Sequence, residues 1–506
     1  MRKPKFRTGL LVIISSILIA PLSMADGLAP FPGSATSTTI DQSLEIIDTE
    51  IVQFDLPEQE YRAIAEFERQ QGLIISWPTR TTWEYDYNTY QPVLAEIVKQ
   101  AISEVVVYID SKSPIETDRI IRELLDYGIS QDSFSIFGGT DIVIREFGAG
   151  GRLWVRDYGP FFVESTDGIV DLDFRYSVGI PEPDSEKFPY SFYTHPDSPD
   201  LAGYEENALL WDGGDFLHNG DGLLLIPERV FTENVERGPH SIGDIWLTAL
   251  QKFSQLVINI RNGPGLHIDW SMKFINHNTL LVGEPAEGDV ITPNLAQQFE
   301  QLEENIQLLS RVNNRGRSLN IVRIPLALDK YNAPCLYINS IILNRKVLVP
   351  TCGIDADQIA LDIYREQMPG YEIVAIDFSA ISSWQSGGAV HCLTREIPSA
   401  RSPYVPRPLW PAGEVPRNKE FVFQWTRIDE FDDYRIVVER VEKGGSIVEE
   451  VIDVHVPKGQ EPKLIMNWAD ESDTVFTWQV GIISDKYKGW SDKVAFTVSS
   501  IPSKFP

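Results

Sequence analysis

Short runs of β-type residues alternate with helical segments between about residues 55 and 398. Contiguous apolar residues predict buried strands, and apolar residues that recur with a helical period predict amphipathic helices. The predicted strands are Gly72–Trp77, Glu104–Ile109, Thr279–Val282 and Leu319–Ile324. The predicted helices are Pro92–Ile102, Ile115–Leu125 and Leu295–Val312. Strands and helices in this order indicate an α/β fold for residues 55–398.

The hydrophobic pattern changes after this region. Residues 399–416 are rich in proline, arginine and serine, which predicts a stiff linker. Beyond the linker lie short strand-like runs, namely Phe421–Arg427, Asp433–Arg440, Ile447–His455, Lys463–Asn467, Val475–Ile482 and Lys493–Val498. Their spacing predicts an all-β sandwich of the fibronectin type III or immunoglobulin-like kind over residues 417–506. We expect aromatic side chains to fill the space between its sheets: Trp425, Tyr434, Trp478 and Trp490.

Residues 1–25 have the composition of a secretory signal peptide. Basic residues come first, the apolar run Leu10–Ala20 is short for a membrane span, and small residues flank Met24 before a cleavage point. We therefore predict cleavage after Ala25 and export to the periplasm or the cell exterior. Residues 26–54 are then a lead-in segment without a clear period. No later stretch of the sequence is apolar enough to predict a membrane span.

The charge composition restricts the classes of partner that this chain is expected to bind. The chain has 506 residues, with 44 lysines and arginines against 73 acidic residues and a net charge of −29. This balance argues against nucleic acid and anionic membrane surfaces, and it is compatible with a cationic substrate. Of three cysteines, Cys335 and Cys352 lie near the arms of an apparent hairpin, Leu336–Leu343 and Lys346–Pro350. Export would permit a disulfide between them, which the pattern leaves open.

Cys392 is the candidate free thiol. It follows Gly387 and Gly388, where a backbone without side chains can approach a ligand closely. A thiol at such a place is a nucleophile if its surroundings favour the thiolate. The alternative is a buried, inert cysteine, which is the commoner fate of this residue type.

Three other segments carry polar side chains that could meet a ligand. Trp154–Pro160 reads as a strand that ends in a Gly-Pro turn, with Arg156 and Asp157 as a possible local ion pair. Trp211–Gly222 reads as a hairpin rich in glycine and aspartate. His267–Asp269 reads as an extended stretch in which the two polar side chains face one side.

A zinc site is the first chemistry to weigh for these residues. His267, His391 and Cys392 would make an incomplete ligand set, and no Cys-x-x-Cys or His-x-x-x-His spacing accompanies them. We therefore expect no metal.

Guanidinium chemistry suits the same residues better. A guanidinium is planar and permanently charged, so two carboxylates can hold its carbon over a thiolate. A histidine beside the leaving nitrogen can protonate it and then activate water. Asp157, Asp269, His267 and Cys392 supply these groups. A papain-like protease would also use a Cys–His pair, but it does not explain the two aspartates.

Four segments, in this order, resemble the bacterial agmatine deiminase and Porphyromonas-type peptidylarginine deiminase family. The segments are Glu66–Pro78, Trp154–Pro160, His267–Asp269 and Gly387–Thr394. The resemblance covers roughly residues 55–398. It implies an α/β propeller, in which a pseudo-fivefold ring of ββαβ units surrounds a central pocket.

The resemblance also implies roles for individual residues. Cys392 would attack the guanidinium carbon, His267 would be the general acid and base, and Asp157 and Asp269 would clamp the guanidinium nitrogens. Ammonia would leave, and a covalent thiouronium would be hydrolysed to a ureido product without any metal or organic cofactor. Residues expected to contact the substrate are Trp154, Asn339, Gly387, Gly388, Asp215 and Arg175.

The substrate stays open between two members of the family. Agmatine deiminases are generally single-domain cytoplasmic enzymes, whereas the peptidylarginine enzyme is exported with an immunoglobulin-like domain after the catalytic one. The predicted signal peptide and sandwich therefore favour peptidyl-arginine or arginine. However, the loop that grips the substrate carboxylate with two arginines in that enzyme corresponds here to Tyr176–Pro183, which has no arginine. Arg175 could substitute for them, and an acidic rim would instead suit agmatine. An exported binding protein with a degenerate site is the non-enzymatic alternative.

Overall fold

The computed structural model describes most of the chain between residues 60 and 400 and the strands that follow. The described residues are 7–11, 52–56, 60–79, 87–176, 183–253, 256–314, 317–368, 371–382, 387–400, 406, 408–411, 413–417, 420–425, 433–441, 447–457, 463–467, 474–482, 490–491 and 493–502.

Helices occur only between residues 87 and 367 in the described part of the chain. The α-helices are Tyr87–Ala101, Pro114–Asp126, Val155–Tyr158, Pro183–Thr194, Glu228–Arg237, Ile242–Lys252, Pro293–Leu309 and Ala356–Gln367. Short 3-10 turns span Gln131–Ser133, Ser135–Phe137, Gly213–Asp215 and Ile268–Trp270. Ser113 and Thr292 each cap a helix with a side-chain oxygen and are followed by proline, whose missing N–H is not needed in the first turn.

Five sheets within the described part of residues 62–398 repeat one arrangement. In each sheet a short strand is antiparallel to a central strand, and a helical crossover leads from the central strand to a parallel third strand; two of the sheets carry one further edge strand, Arg62–Ala63 in one and Ile142–Arg145 in the other. The sheets, in strand order, are Arg62–Ala63, Phe161–Glu164, Ile169–Arg175 and Gly203–Leu210; Leu217–His218, Leu223–Pro227 and Leu256–Ile260; Met272–Phe274, Thr279–Glu284 and Asn320–Pro325; Ile341–Leu343, Lys346–Thr351 and Glu372–Asp377; and Arg395–Pro398, Gln70–Ser76, Val106–Asp110 and Ile142–Arg145. A two-residue ladder joins Asn313–Asn314 to Arg317–Ser318.

The last sheet joins the two ends of this region. Its first strand, Arg395–Pro398, pairs antiparallel with Gln70–Ser76, which lies near the start of the region. The helix Tyr87–Ala101 packs on the same sheet and buries Leu94 and Ile97 completely. The segment just before Arg395, which contains Cys392, is thereby fixed against the amino-terminal strands.

The strands and helices predicted for residues 55–398 are confirmed, with ends that shift by a few residues. Gly72–Trp77 is observed as Gln70–Ser76, and Leu295–Val312 as Pro293–Leu309. Contiguous apolar runs identify these strands correctly because their side chains are buried on both faces of the sheet.

The expectation of an extended His267–Asp269 stretch is wrong. Ile268–Trp270 is a 3-10 turn that begins directly after His267, and the Trp270 N–H donates to the His267 carbonyl at 3.3 Å. Gly265 precedes it at a φ of 103°, a backbone conformation that favours glycine. A single polar–apolar–polar triplet is too short to separate a strand from such a turn.

The segment Trp154–Pro160 does not end a strand either. Val155–Tyr158 forms one turn of α-helix, and the strand Phe161–Glu164 begins only after Pro160. A Cβ atom on Gly159 would lie 2.3 Å from the Val155 carbonyl oxygen, so the chain can leave the helical turn this closely only with glycine.

Cys335 and Cys352 form a disulfide, which the sequence left open. The hairpin beside them is shorter on its first arm than predicted, because it consists of Ile341–Leu343 and Lys346–Thr351. The residues just before Ile341 form a turn, and this turn carries Asn339.

The strands after residue 400 form two sheets. One contains Pro408–Trp410, Glu420–Trp425 and Lys463–Asn467; the other contains Gly413–Arg417, Val494–Pro502, Val475–Ile482, Tyr434–Val441 and Ile447–Val456. Pro408–Trp410 and all but the last residue of Gly413–Arg417 lie inside the predicted linker, residues 399–416. Part of the predicted linker therefore pairs with the sheets. Trp425, Tyr434 and Trp478 are buried as predicted. The prediction for Trp490 is wrong: it is 42% exposed, because its ring lies across Gly481 on the outside of the sheet.

The amino-terminal residues contribute one ladder. Arg7–Leu11, inside the predicted signal peptide, pairs antiparallel with Val52–Leu56. The cleavage point and the remainder of residues 1–51 lie outside the described residues. None of the helices in the described part of the chain is long and apolar enough to cross a membrane.

Candidate active site

In each of the five sheets, the short strand that is antiparallel to the central strand is preceded by a polar residue in the turn that leads into it. These residues are Asp157, Asp215, Asp269, Asn339 and Cys392, and each lies within four residues of the strand that follows it. All five are buried. The repeated sheet arrangement therefore collects one chemical group from each sheet at a common centre.

Hydrogen bonds link the segments that carry these groups. They run from Arg156 N–H to the Cys392 carbonyl (3.2 Å), from Ile268 N–H to Asp215 Oδ1 (3.0 Å), from Asn339 Nδ2 to the Asp269 carbonyl (3.4 Å) and from His391 N–H to the Asn339 carbonyl (2.9 Å). The centre is consequently built from main-chain contacts as well as side chains.

Asn339 holds the thiol in place. Its Nδ2 lies 3.1 Å from Cys392 Sγ and donates to Asp269 Oδ2 at 3.0 Å. Its Oδ1 accepts from the main-chain N–H groups of Ala389 (2.9 Å) and Cys392 (3.2 Å). Cys392 Sγ is also 3.6 Å from Asp269 Oδ2. The one amide therefore fixes the main chain, the thiol and the carboxylate.

His267 lies between two carboxylates. Its Nδ1 is 3.4 Å from Asp157 Oδ1, and its Nε2 is 3.2 Å from Asp212 Oδ2. Burial opposes the charged ring, but Asp157, Asp215 and Asp212 outweigh burial and raise the pKa of His267 to about 10. The ring is thus an imidazolium near neutral pH and can donate a proton.

Arg229 and Asp215 fix the position of His267 through the residues that contact it. The Arg229 guanidinium donates to Asp215 Oδ2 at 2.8 Å and to Asp212 Oδ2 at 2.7 Å. Gly214 lies against the ring, since a Cβ atom there would be 2.8 Å from His267 Cγ. The Gly/Asp segment singled out in the sequence, Trp211–Gly222, therefore contains residues that hold His267 in position.

Two carboxylate oxygens in the centre are left for a ligand. Among the described residues, neither Asp157 Oδ1 nor Asp269 Oδ1 accepts a hydrogen bond, although both are buried, and Asp157 Oδ1 has only its 3.4 Å ion-pair contact with His267 Nδ1. Arg156 does not neutralise its neighbour Asp157, because it donates to Glu396 instead. Buried unpaired carboxylate oxygens are costly unless a bound group satisfies them.

The same excess of negative charge acts on neighbouring protons. Burial, with Asp212 and Asp269 nearby, raises the pKa of Asp157 to about 7. Burial, with Asp269 and Asp157 nearby, raises the pKa of the Cys392 thiol well above its ordinary value. The centre accordingly holds a neutral thiol, and negative charge exceeds positive charge around it.

Trp154 and the two glycines line the approach to the thiol. A Cβ atom on Gly388 would lie 2.5 Å from Cys392 Sγ, and one on Gly387 would lie 3.3 Å from the Trp154 ring. Both glycines have positive φ, at 105° and 143° for Gly387 and Gly388 respectively. These contacts group all three residues near the Cys392 thiol, and their contact with a substrate stays a prediction.

Two residues predicted to contact the substrate are placed differently from the rest. Asp215 uses both carboxylate oxygens on Arg229 and the Ile268 N–H, so its role is to support His267. Arg175 is exposed at the end of its strand. The adjoining residues 177–182 lie outside the described residues, and contact between Arg175 and a substrate stays a prediction.

Sequence reasoning missed three members of the centre. His391 was weighed only as a zinc ligand, although it adjoins Cys392. Asp212 lies in the Gly/Asp segment that the sequence singled out, and its position next to Gly213 is the only local signal. Arg229 lies at the start of a helix and carries no local signal.

One group of potential metal ligands occurs among the described residues: Glu66, His391 and Glu396. Cations of the protein already occupy both carboxylates, since Lys273 Nζ is 2.7 Å from Glu66 Oε2 and Arg156 binds Glu396. The donor set is thus used by internal ion pairs.

Comparison with known proteins agrees with this geometry. The profile of the family described as Porphyromonas-type peptidyl-arginine deiminase matches residues 62–398. A Lactococcus lactis protein named "Putative agmatine deiminase" is 22% identical over 382 residues, which cover 68% of this chain and 97% of that protein. The solved agmatine deiminase of Enterococcus faecalis has 19% identity and a TM-score of 0.54, and the match covers 67% of this chain and 96% of that one. The C. jejuni agmatine deiminase has 17% identity and a TM-score of 0.52, with 67% and 96% covered.

Fold and site together define an α/β propeller-like deiminase, a hydrolase that acts on the C–N bonds of a guanidino group. The chain belongs to the Porphyromonas-type peptidyl-arginine deiminase family.

Proposed function

We propose that this chain is an exported enzyme that converts the guanidinium of peptidyl-arginine or arginine-like substrates to a ureido group, with release of ammonia. Two buried carboxylate oxygens that accept no hydrogen bond, on Asp157 and on Asp269 beside the Cys392 thiol, carry this proposal. A planar cation with several N–H donors can donate to both oxygens at once and offset the excess negative charge.

Substrate binding prepares the nucleophile. The neighbouring carboxylates hold the proton on Cys392 while the pocket is empty. A guanidinium placed between Asp157 and Asp269 offsets these charges, and the thiolate forms more easily as a result. The thiolate is therefore generated against a bound substrate rather than in the open pocket, and its proton is released to solvent.

Two proton transfers by His267 complete the reaction. The Cys392 sulfur forms a bond to the guanidinium carbon, the His267 imidazolium gives its proton to one nitrogen, and the C–N bond breaks to release ammonia. The neutral His267 ring then takes a proton from a water molecule that attacks the thiouronium carbon. The carbon–sulfur bond breaks, the hydroxyl proton of the tetrahedral adduct passes to the sulfur to restore the Cys392 thiol, and the ureido product leaves.

The choice of peptidyl-arginine or arginine rests on the remainder of the chain. The predicted signal peptide and the β-domain after residue 400 support it by their likeness to the exported member of the family. Within the family, we propose that the five sheets form a pseudo-fivefold ring around the site. We also propose that the β-domain is immunoglobulin or fibronectin type III-like, because Gly413–Arg417 runs parallel to the last strand and three further antiparallel strands follow it.

Agmatine is the second candidate substrate. The Lactococcus lactis relative and the two solved structures reported above carry agmatine deiminase in their names, and residues 176–183 contain an acid, Glu182, but no arginine. An acidic rim would attract the free amine of agmatine and repel a carboxylate.

The test uses purified protein and three substrates of matched concentration: agmatine, free arginine and an arginyl peptide. We expect ammonia and the ureido product from at least one of them, and loss of both with Cys392→Ala. A folded wild-type protein that releases no ammonia from any of the three would contradict the function. The ranking of kcat/KM among the substrates decides between the two candidates.

A further inference from the structure

His391 is a buried titratable residue that the reaction described above does not use. It immediately precedes Cys392, and its imidazole lies between two carboxylates. Nδ1 is 2.6 Å from Asp269 Oδ2, and Nε2 is 2.9 Å from Glu66 Oε2. An ionised carboxylate can only accept hydrogen bonds, so both ring nitrogens must donate. With Asp269 and Glu66 both ionised, this geometry corresponds to the imidazolium form of His391.

The imidazolium is one member of a row of alternating charges. Lys273 Nζ lies 2.7 Å from Glu66 Oε2, so Glu66 is held between the lysine and His391. Lys273 also donates to the Ser340 carbonyl at 2.9 Å, which anchors the outer end of the row to the main chain. The row runs inward from Lys273 through Glu66 and His391 to Asp269. Its inner end is the carboxylate that faces the thiol.

This row determines how Asp269 can meet a substrate. Oδ2 of Asp269 receives hydrogen bonds from His391 and from Asn339, whereas Oδ1 has no partner among the described residues. Two donors on one oxygen fix the rotation of the carboxylate and direct the other oxygen into the centre. Burial would favour the neutral acid, but the hydrogen bond and charge of His391 lower the pKa of Asp269 below its ordinary value.

His391 has no free atom for another role. Both ring nitrogens are occupied by carboxylates, so the ring cannot exchange a proton with a guanidinium as His267 can. The His391 ring reaches the centre only through Asp269, and it therefore acts as a support for that carboxylate. A metal at Glu66 and His391 would have to displace Lys273.

We propose that His391 is a positioning residue, supported by Glu66, that keeps Asp269 oriented and ionised for guanidinium binding. The proposal rests on the proposed deiminase function for its kinetic consequence, but the charge and contacts of His391 can be tested without turnover. In general, losing a group that orients a binding carboxylate costs on the order of 10²-fold in rate.

The kinetic experiment compares His391→Leu, which removes both hydrogen bonds, with His391→Asn, whose amide can still donate to Asp269. We expect His391→Leu to raise KM and to lower kcat/KM by about 10²-fold. Below the acid limb that Asp157 sets near pH 7, its kcat/KM should fall more steeply with decreasing pH, because Asp269 then binds a proton more readily as well. His391→Asn should restore part of the loss. His218→Gln is the matched control. His218 lines a cavity that Glu66, Asp269 and His391 also line, but its ring packs on Phe216. The pH profile of His218→Gln should therefore follow that of the wild type.

A second measurement separates failure of this proposal from failure of the proposed function. Nitrogen-15 NMR of histidine-labelled wild-type protein, with His391 assigned by its absence in His391→Leu, reports whether both ring nitrogens carry protons under the conditions of the activity assay. We expect an imidazolium signal that Glu66→Gln shifts. A neutral His391 ring under these conditions, or an unchanged acid limb in a folded and active His391→Leu variant, would overturn the proposal. An inactive wild type with an imidazolium His391 would overturn the deiminase function alone.

Discussion

At the scale of the residue, burial decides which groups hold protons before a substrate arrives. His267 keeps its proton because Asp157 and Asp212 flank its ring, and Cys392 keeps its own because Asp269 and Asp157 oppose a thiolate. The protonated form of His267 and the neutral thiol of Cys392 both result from excess negative charge in a buried centre. A bound guanidinium corrects this imbalance, which links specificity for a cation to activation of the nucleophile.

The raised pKa of His267 predicts a dependence of stability on pH. An unfolded histidine loses its proton near its ordinary pKa of about 6.5, whereas His267 in the folded protein holds it to about 10. The folded state binds more protons in this interval, so its stabilisation by His267 is full below pH 6.5 and declines as the pH rises toward 10. Urea midpoints measured from pH 6 to 10 should fall in the wild type and fall less in His267→Gln.

The control for this measurement is His455→Gln, because His455 is exposed and lies outside the deiminase region. Its urea midpoints should change with pH as the wild-type midpoints do. Parallel slopes for wild type and His267→Gln would mean that His267 is not held in its protonated form.

The residues that are predicted to react were easier to find from the sequence than the residues that support them. Cys392, Asp157, His267 and Asp269 do meet at one centre. Asp212, Arg229 and His391 were not assigned to it, because each acts on a partner that is distant in sequence. His391 and Asp269, for example, are 122 residues apart. A single sequence carries no signal for such pairs.

At the scale of the element, the turns before the short antiparallel strands of the five sheets place the chemistry. These turns need close approaches that only glycine permits, and Gly388 is the clearest case because it faces Cys392 Sγ at a positive φ. The buried strands were predictable since their apolar residues are contiguous. The turn at Ile268–Trp270 was not, because its geometry depends on contacts with Asp215 rather than on a periodic pattern.

Gly388→Ala tests this requirement against Gly288→Ala. Both glycines have positive φ, but a Cβ atom on Gly288 would meet nothing within 4 Å, whereas one on Gly388 would lie 2.5 Å from the thiol sulfur. We expect each change to cost about 1 kcal/mol of stability through backbone strain. Only Gly388→Ala should lower kcat/KM, by about 10²-fold or more, because the sulfur must move. Equal activity of the two variants would contradict the close approach.

At the scale of the whole molecule, a repeated arrangement of sheets brings distant segments to one place. The pairing of Arg395–Pro398 with Gln70–Ser76 joins the ends of the deiminase region, and it is this closure that sets Cys392 beside Asp157. The order of strands and helices predicted the fold class. The closure could not be deduced from alternation alone, since the partner strands are separated by more than 300 residues of intervening chain.

The disulfide between Cys335 and Cys352 should stabilise the molecule without taking part in the reaction. It closes a loop with a sequence separation of 17, for which the expected contribution is about 3 kcal/mol. Cys335→Ala/Cys352→Ala should lower the free energy of unfolding by about this amount, and kcat/KM at 25 °C should stay close to that of the wild type. Reductant should destabilise the wild type and leave the double variant unchanged. An effect of reductant on both proteins would contradict the assignment.

The most direct measurement of the central claim is mass spectrometry of the enzyme quenched in acid during turnover of its preferred substrate. Among the described residues Cys392 is the only free cysteine. We predict an adduct on the peptide that contains Cys392, heavier than the free peptide by the mass of the substrate less ammonia, and none in Cys392→Ser. Deimination at an undiminished rate by Cys392→Ser, or an adduct located on any other residue, would contradict the assignment of Cys392 as the attacking group.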